Sequence, residues 1–247
     1  MTDPLTHYRF AWDRKPVLRR VYNDIYDRIA SCCVSGHTVE IGGGIGQFKQ
    51  RFPDVIATDI QKGPGLDVVA DAQKLPFGPA SISNVIMVDV LHHIEYPILF
   101  LREAERVLRP GGRCIMVEPA ITKGSTLFYR FIHQEPVRMR EDPLREGNPT
   151  KERDPYDSNQ AIPTLLATRY RGQLAHKLPC LRVTEVQWFS FLAYPLSGGF
   201  KSWSLLPDSV AKPLLSLEKR VEPVLGPLFG FRMLLVLEKS QPGAATQ

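Results

Sequence analysis

The chain has 247 residues, of which 43% are hydrophobic, 23% charged and 9% aromatic, a globular composition large enough to bury a sizeable core. Disorder, a collagen helix and a coiled coil are excluded. The balance of 31 Lys and Arg against 26 Asp and Glu leaves +5 with both signs spread along the chain, which permits an anionic partner without requiring one. Prolines, at 21, outnumber the 18 glycines, and their density from residue 136 onward argues against long uninterrupted helices there.

Cys32, Cys33, Cys114 and Cys180 show no disulfide or zinc spacing, so a reducing cytoplasm is the expected location. No apolar run approaches the roughly 20 residues of a membrane-spanning helix, and the opening MTDPLTHYRFAWDRKP lacks the apolar core of a signal peptide. The expectation is a cytoplasmic protein that touches membranes at most peripherally.

In chain order, residues 1–36 are expected to form an N-terminal arm and a leading helix, with Val17, Val21, Ile25 and Ile29 on one face. Residues 37–119 alternate β-branched apolar runs with turns. HTVEI, DVIATDI, LDVVADA, NVIMVDV and RCIMVEP each read as a buried strand, and YPILFLREAERVL as a helix stopped by Arg109-Pro110-Gly111-Gly112. Strands alternating with helices predict an α/β, doubly wound, mostly parallel sheet, with ligands outside the carboxyl ends of its strands. Residues 120–160 lack clear periodicity and read as a lid-like insertion. Residues 161–239 follow as the C-terminal half of the sheet. IPTLLATRYRGQLAHKL is expected as one helix, LRVTEVQWFSFL and FRMLLVLEK as strands, and an apolar helix is inserted at about 208–229. Residues 240–247 are expected to be a flexible tail.

The strongest local signal is Val39-Glu40-Ile41-Gly42-Gly43-Gly44-Ile45-Gly46, a strand entering a glycine-rich turn ahead of a helix. Glycine belongs where the backbone turns tightly and a ligand comes close. No Lys-Ser/Thr follows, as a nucleotide P-loop requires, and G-x-G-x-G replaces the dinucleotide G-x-G-x-x-G. Glu40 would repel a pyrophosphate and attract an amine or sulfonium. Three further acids, Asp59, Asp71 and Asp89, end the next three strands. Asp59, 19 residues beyond Glu40, suits the hydroxyls of a ribose, and Asp71 with the amide of Ala72 suits an adenine edge. Each alone could be a solvated strand end or a helix cap; the four together beside one glycine turn are hard to explain that way.

With VEIGGGIG, TDI, DAQKLPF, IMVDVLHHIEYP and EAERVLRPGGRCIMVEP in this order, residues 37–119 resemble the class I S-adenosylmethionine-dependent methyltransferases, in particular the small-molecule, type 11-like branch. The resemblance implies a Rossmann-like, seven-stranded fold with helical insertions and S-adenosyl-L-methionine as cofactor. It implies that Glu40, Gly42, Gly43, Gly44 and Gly46 line the methionine end, Gly43 standing where many relatives carry Cys or another small residue. It also implies that Asp59 and Ile60 hold the ribose, that Asp71 and Ala72 bracket the adenine, and that Asp89, Val90 and His92 close over the cofactor. Methyl transfer needs alignment, exclusion of water and sometimes a base.

No catalytic residue follows from the sequence. His92, His93 and His133 are candidate bases by their titration range; of the adjacent pair at most one is expected to face the site, and family members use such histidines for cofactor packing. A metal site from Asp89, His92, His93 and Glu95 matches no recognised spacing, and no metal is expected. Nucleic acid is disfavoured as acceptor, because Asp89-Val90-Leu91-His92 stands where base-amine methyltransferases carry their Pro-Pro motif and no basic stripe interleaves with aromatics. The expected acceptor is a small or lipid-linked molecule, received by the insertions at 120–160 and 194–230. The surplus apolar residues of 208–229 read as core or a dimer contact, or, with Arg14, Lys15, Arg19 and Arg20, as a peripheral membrane contact. A non-catalytic cofactor-binding or interaction protein of the same fold is the competing reading.

Overall fold

The computed structural model describes residues 4–131, 135–150 and 153–241. Its N-terminal arm is almost wholly helical: α1 spans Pro4–Arg14 and α2 Pro16–Cys32. The helix α2 is the expected leading helix, with Val17, Val21, Ile25 and Ile29 buried, whereas α1 was not anticipated. The core then runs β1 (Thr38–Ile41), α3 (Gln47–Arg51), β2 (Ile56–Asp59), β3 (Val68–Val69), β4 (Ile82–Val88), a 3-10 turn at Leu91–His93, α4 (Pro97–Val107) and β5 (Leu108–Pro119). It continues through α5 (Lys123–Phe131), α6 (Ile162–Ala167), α7 (Arg171–Lys177), β6 (Leu181–Phe189), α8 (Ala193–Ser197), α9 (Asp208–Phe229) and β7 (Arg232–Lys239).

The seven strands form one sheet in the order β3-β2-β1-β4-β5-β7-β6. The pairs β1–β2, β1–β4, β2–β3 and β4–β5 are parallel, and β7 runs antiparallel to both of its neighbours. This is the expected mostly parallel, doubly wound, Rossmann-like sheet. Alternating side chains of the central strands feed two cores. Val85, Met87, Cys114, Met116 and Leu235 pack with α4, α6 and α7 on one face. Ile86, Ile115, Val117, Leu234 and Val236 pack with Leu18, Tyr22, Ile25 and Ile29 of α2 on the other.

Several local expectations are corrected. The third strand shrinks to two residues, because only Val68 and Val69 reach the ladder of β2 before Asp71 turns the chain. Arg109 to Gly112 do not form a free-standing stop: α4 ends at Val107 and β5 begins at Leu108, with Gly111 at φ 76° absorbing the bend. The single helix expected over 162–178 is two, since Thr168 leaves the helical region at φ −119°, ψ −93°. Helix α5 occupies part of the aperiodic stretch 120–160. The inserted helix expected at about 208–229 is present as α9, and against the argument from proline density it runs unbroken for 22 residues through Pro213, Pro223 and Pro227. Of its residues only Ala211, Glu218 and Gly226 are buried, so carbonyls that lose an intrahelical partner to proline can turn to water.

Candidate functional site

The carboxyl ends of the parallel strands open into one cavity of about 600 Å³. Glu40, at the end of β1, starts its wall. The backbone after it turns through Gly42 at φ 69° and Gly44 at φ 55°, and a Cβ on Gly42 would lie 2.3 Å from Val90 Cγ2, so both a left-handed turn and a close approach demand glycine. The turn is tied to the next strand: the Gly43 amide donates to the Thr58 carbonyl at 2.8 Å, and the Gly44 amide to Asp59 Oδ2 at 3.0 Å. Asp59 Oδ1 accepts from the Gln61 amide at 2.9 Å, and Asp71 Oδ1 from the Gln73 amide at 2.8 Å. Both carboxylates are thereby aimed by their own loops.

Glu40, Gly42, Gly43, Gly44, Asp59, Ile60, Asp71, Ala72, Asp89, Val90 and His92 all line this cavity. Gly46 does not. It caps α3 in the left-handed region at φ 76°, its amide bonded to the Gly43 carbonyl, which turns it away from the cavity. Both His92 and His93 line the wall, against the expectation that one would face away, because they sit in a 3-10 turn rather than on a regular helix or strand. His133 lies outside the described residues.

The histidines differ in charge. His92 is buried, with Nδ1 2.6 Å from Glu118 Oε2 and Nε2 3.6 Å from Glu135 Oε2. Burial works against its charge, but Glu118, Glu135 and Asp89 outweigh it and raise the imidazole to about 9. Burial likewise opposes ionisation of Glu135, and its hydrogen bond and attraction to His92 hold it down at about 2. His92 at neutral pH is therefore a cation between two carboxylates with no lone pair to offer as a base. The other oxygen of Glu118 accepts from the amides of Val90 and Leu91, both at 2.8 Å, so one buried carboxylate fixes the loop after β4. His93 is pushed down, first by burial and then by the charge of His92. Its Nδ1 faces the Asp157 carbonyl at 3.3 Å; a carbonyl only accepts, so Nδ1 carries the proton and Nε2 the lone pair. Ligand-type atoms of His92, His93 and Glu135 lie within 4.8 Å of one another, but both nitrogens of His92 already face carboxylates. Glu95 is turned to Thr150, accepting from its amide at 2.8 Å and its hydroxyl at 2.9 Å.

Glu40 is the electrostatic anomaly. Its Oε2 is buried without a hydrogen-bond partner, and desolvation, aided by Asp59 and opposed by Lys49, pushes the carboxyl up to about 8. A carboxyl kept dry and unpaired beside a glycine turn regains its charge when a cationic group pairs with it.

The remaining wall is largely aromatic; the part from the two insertions, with Phe128, Tyr129, Tyr194, Phe200 and Trp203, lies where the acceptor pocket is expected, and the part from α1 and α2 was not anticipated. Leu5, His7 and Tyr8 of α1, Tyr22 and Tyr26 of α2, Phe128 and Tyr129 of α5, and Tyr194, Phe200 and Trp203 of the 193–203 segment all contribute. The i, i+4 spacing of Tyr22 and Tyr26 beside Val21 and Ile25 was the available signal. Arg232 joins them because β7 is antiparallel: its first residue arrives at the edge where the parallel strands end, opposite Pro119. An arginine heading the apolar run MLLVL was its sequence mark. Lys15 closes the wall from behind, donating to the carbonyls of Gly199 at 2.6 Å and of Lys201 and Trp203 at 2.9 Å. Arg19 donates to the carbonyls of Trp12 and Asp13, and Arg20 pairs with Asp208. Of the four cations read as a membrane contact, Lys15 is consumed inside the fold, while Arg14, which lies over the Phe10 ring, and Arg20 are exposed. Among the described residues, no helix is long and apolar enough to cross a membrane.

A glycine turn with an unpaired acid and two loop-aimed acids thus share one cavity at the carboxyl ends of the parallel strands. Residues 39–116 match the family model described as a methyltransferase domain. The chain is 37% identical over 73 residues, 30% of its length, to an uncharacterised 37.1 kDa protein in transposon Tn4556 of Streptomyces fradiae, of which the match covers 19%. It is 30% identical over 104 residues, 39% of its length, to an uncharacterised protein of Methanocaldococcus jannaschii, of which 51% is covered. The chain thus matches about a fifth and about half of the length of these relatives. A solved S-adenosylmethionine-dependent methyltransferase of Thermotoga maritima superposes with a TM-score of 0.54 at 17% identity, covering 91% of this chain and 92% of that one, a likeness of fold. The match to the methyltransferase-domain model is confined to residues 39–116 of the 247, and the likeness to the solved methyltransferase is one of fold.

Proposed function

We propose that this protein transfers a methyl group from S-adenosyl-L-methionine to a small or lipid-linked acceptor. The observation that carries the reading is the buried, unpartnered Oε2 of Glu40 beside the glycine turn, an acid that a cationic ligand would satisfy and a pyrophosphate would not. When bound, the cofactor supplies a methyl group already activated on a sulfonium for in-line displacement. Glu40 with Gly42, Gly43 and Gly44 would receive the methionine end. Asp59 would accept the ribose hydroxyls with the lone pairs left after its bonds to the Gly44 and Gln61 amides. Asp71 and Ala72 would flank the adenine, Ile60 would pack on the nucleoside, and Asp89, Val90 and His92 would close over it. Glu118 keeps that last loop in place through three contacts. The aromatic wall excludes water from the transfer and orients the acceptor.

Calorimetry with S-adenosylmethionine tests the assignment. Binding by the native chain and a loss of affinity greater than about tenfold in Asp59→Ala, from two ribose hydrogen bonds removed together, are the expected results. Equal affinity in the two proteins would show that the carboxylate does not hold the ribose.

A further inference from the structure

Arg232 carries a second unmet demand. It is 1% exposed and forms part of the cavity wall. Nη1 pairs with Asp89 Oδ1 at 2.6 Å, and the guanidinium lies 4.7 Å from the centre of the Tyr194 ring. Nε and Nη2 are buried with no hydrogen-bond partner. These two nitrogens form the side-on edge of a guanidinium, the edge that grips a planar oxyanion through two parallel hydrogen bonds. Asp89 cannot serve that edge: one oxygen is on Nη1 and the other accepts from the Tyr22 hydroxyl at 3.1 Å. The tyrosines around it do not compete as anions, since burial raises Tyr22, Tyr129 and Tyr194 above their ordinary range. The hydroxyl of Tyr129 is also committed, donating to the Phe231 carbonyl at 3.0 Å.

We propose that the side-on edge of Arg232, framed by the tyrosine and phenylalanine wall, recognises a flat aromatic methyl acceptor that carries an ionised oxygen, a carboxylate or a phenolate. The inference rests on the cofactor assignment above and gives that site its acceptor class. Aromatic faces supply the apolar contact of a planar ring, and the arginine fixes its rotation by pairing with the charged end. Both nitrogens are sealed from solvent in this state, so the acceptor reaches them through a rotamer change in the wall, a common event on binding.

The test uses the full-length protein with S-adenosylhomocysteine bound and three probes of one shape: 2-naphthoate, 2-naphthol and methyl 2-naphthoate. Calorimetry is expected to show at least one of the first two binding about tenfold or more tighter than the neutral ester, and which one does so separates carboxylate from phenolate. That preference should disappear in Arg232→Met and survive in part in Arg232→Lys. Because Arg232→Met strands the Asp89 charge and could fail to fold, the double variant Arg232→Met with Asp89→Asn, checked by thermal melting, provides the second reading of the same preference. Equal affinity for all three probes, no binding of 2-naphthoate or 2-naphthol at millimolar concentration, or a preference that persists without Arg232 would overturn the acceptor class while S-adenosylhomocysteine still binds. Failure of S-adenosylhomocysteine to bind the native chain would instead overturn the cofactor assignment, and the proposal with it.

Discussion

Replacing Glu118 with Gln removes one charge from the centre of the site while keeping its shape. The amide oxygen can still accept from the Val90 and Leu91 amides, but the amide nitrogen then meets His92 Nδ1, and a protonated imidazole cannot donate to it. His92 is forced toward its neutral form. In the native chain its folded pKa of about 9 stands above the ordinary 6.5, an interval that corresponds to about 3 kcal/mol of linked stability. The sign follows from the proton: the folded state holds it more tightly, so this stability is fully present below 6.5 and is lost as pH rises through 9. Glu135 reports the other side of the same ion pair, and its depression is not a separate contribution. Urea unfolding at pH 6 should find Glu118→Gln weaker by about 2–3 kcal/mol, and the gap should narrow by more than half by pH 9.5. A gap independent of pH, or an NMR titration placing native His92 below 7, would refute the charged sandwich.

Two other perturbations reach different parts of the cavity. With Glu40 at about 8, some 0.9 of its carboxyls are protonated at pH 7, and a bound cation lowers that value; cofactor binding should therefore release about one proton from the native chain and none from Glu40→Gln. Calorimetry in phosphate and Tris buffers measures the difference, and heats that do not depend on the native chain's buffer would contradict it. Lys15→Met leaves three carbonyls of the 199–203 segment without their donor and should cost about 2–3 kcal/mol in urea unfolding, with faster proteolysis in that segment. An unchanged unfolding midpoint would show that water replaces the ammonium without loss.

The glycine turn and the strand-end acids of the cavity could be read from the sequence because these residues are local. Glu40 and its glycines are contiguous, and Asp59, Asp71 and Asp89 each end a strand whose apolar run announces it. Of the aromatic half, Tyr129 and Tyr194 could be placed in the two insertions, but Tyr8, Tyr22 and Arg232 could not, since they join them only through the packing of α1 and α2 and the reversal of β7. Glu118 occupied a recognised strand end, yet its role depends on a histidine 26 residues away. The proline argument failed at α9 for a related reason: propensity describes a helix alone, and α9 is seated by Ala211, Glu218 and Gly226 against the rest of the chain. Glu218 shows how, with one oxygen accepting from the amides of Phe191, Leu192 and Ala193.

The reversal of β7 also governs how the protein can be handled. Arg232 enters the sheet at the cavity edge, and the strand leaves at Lys239, whose ammonium donates to the Leu108 carbonyl where β5 begins, at the opposite edge. A tether fused after β7 would emerge on the side away from the ligand mouth, suiting immobilisation or a reporter. One fused ahead of α1 would emerge beside Leu5, His7 and Tyr8, which line the cavity.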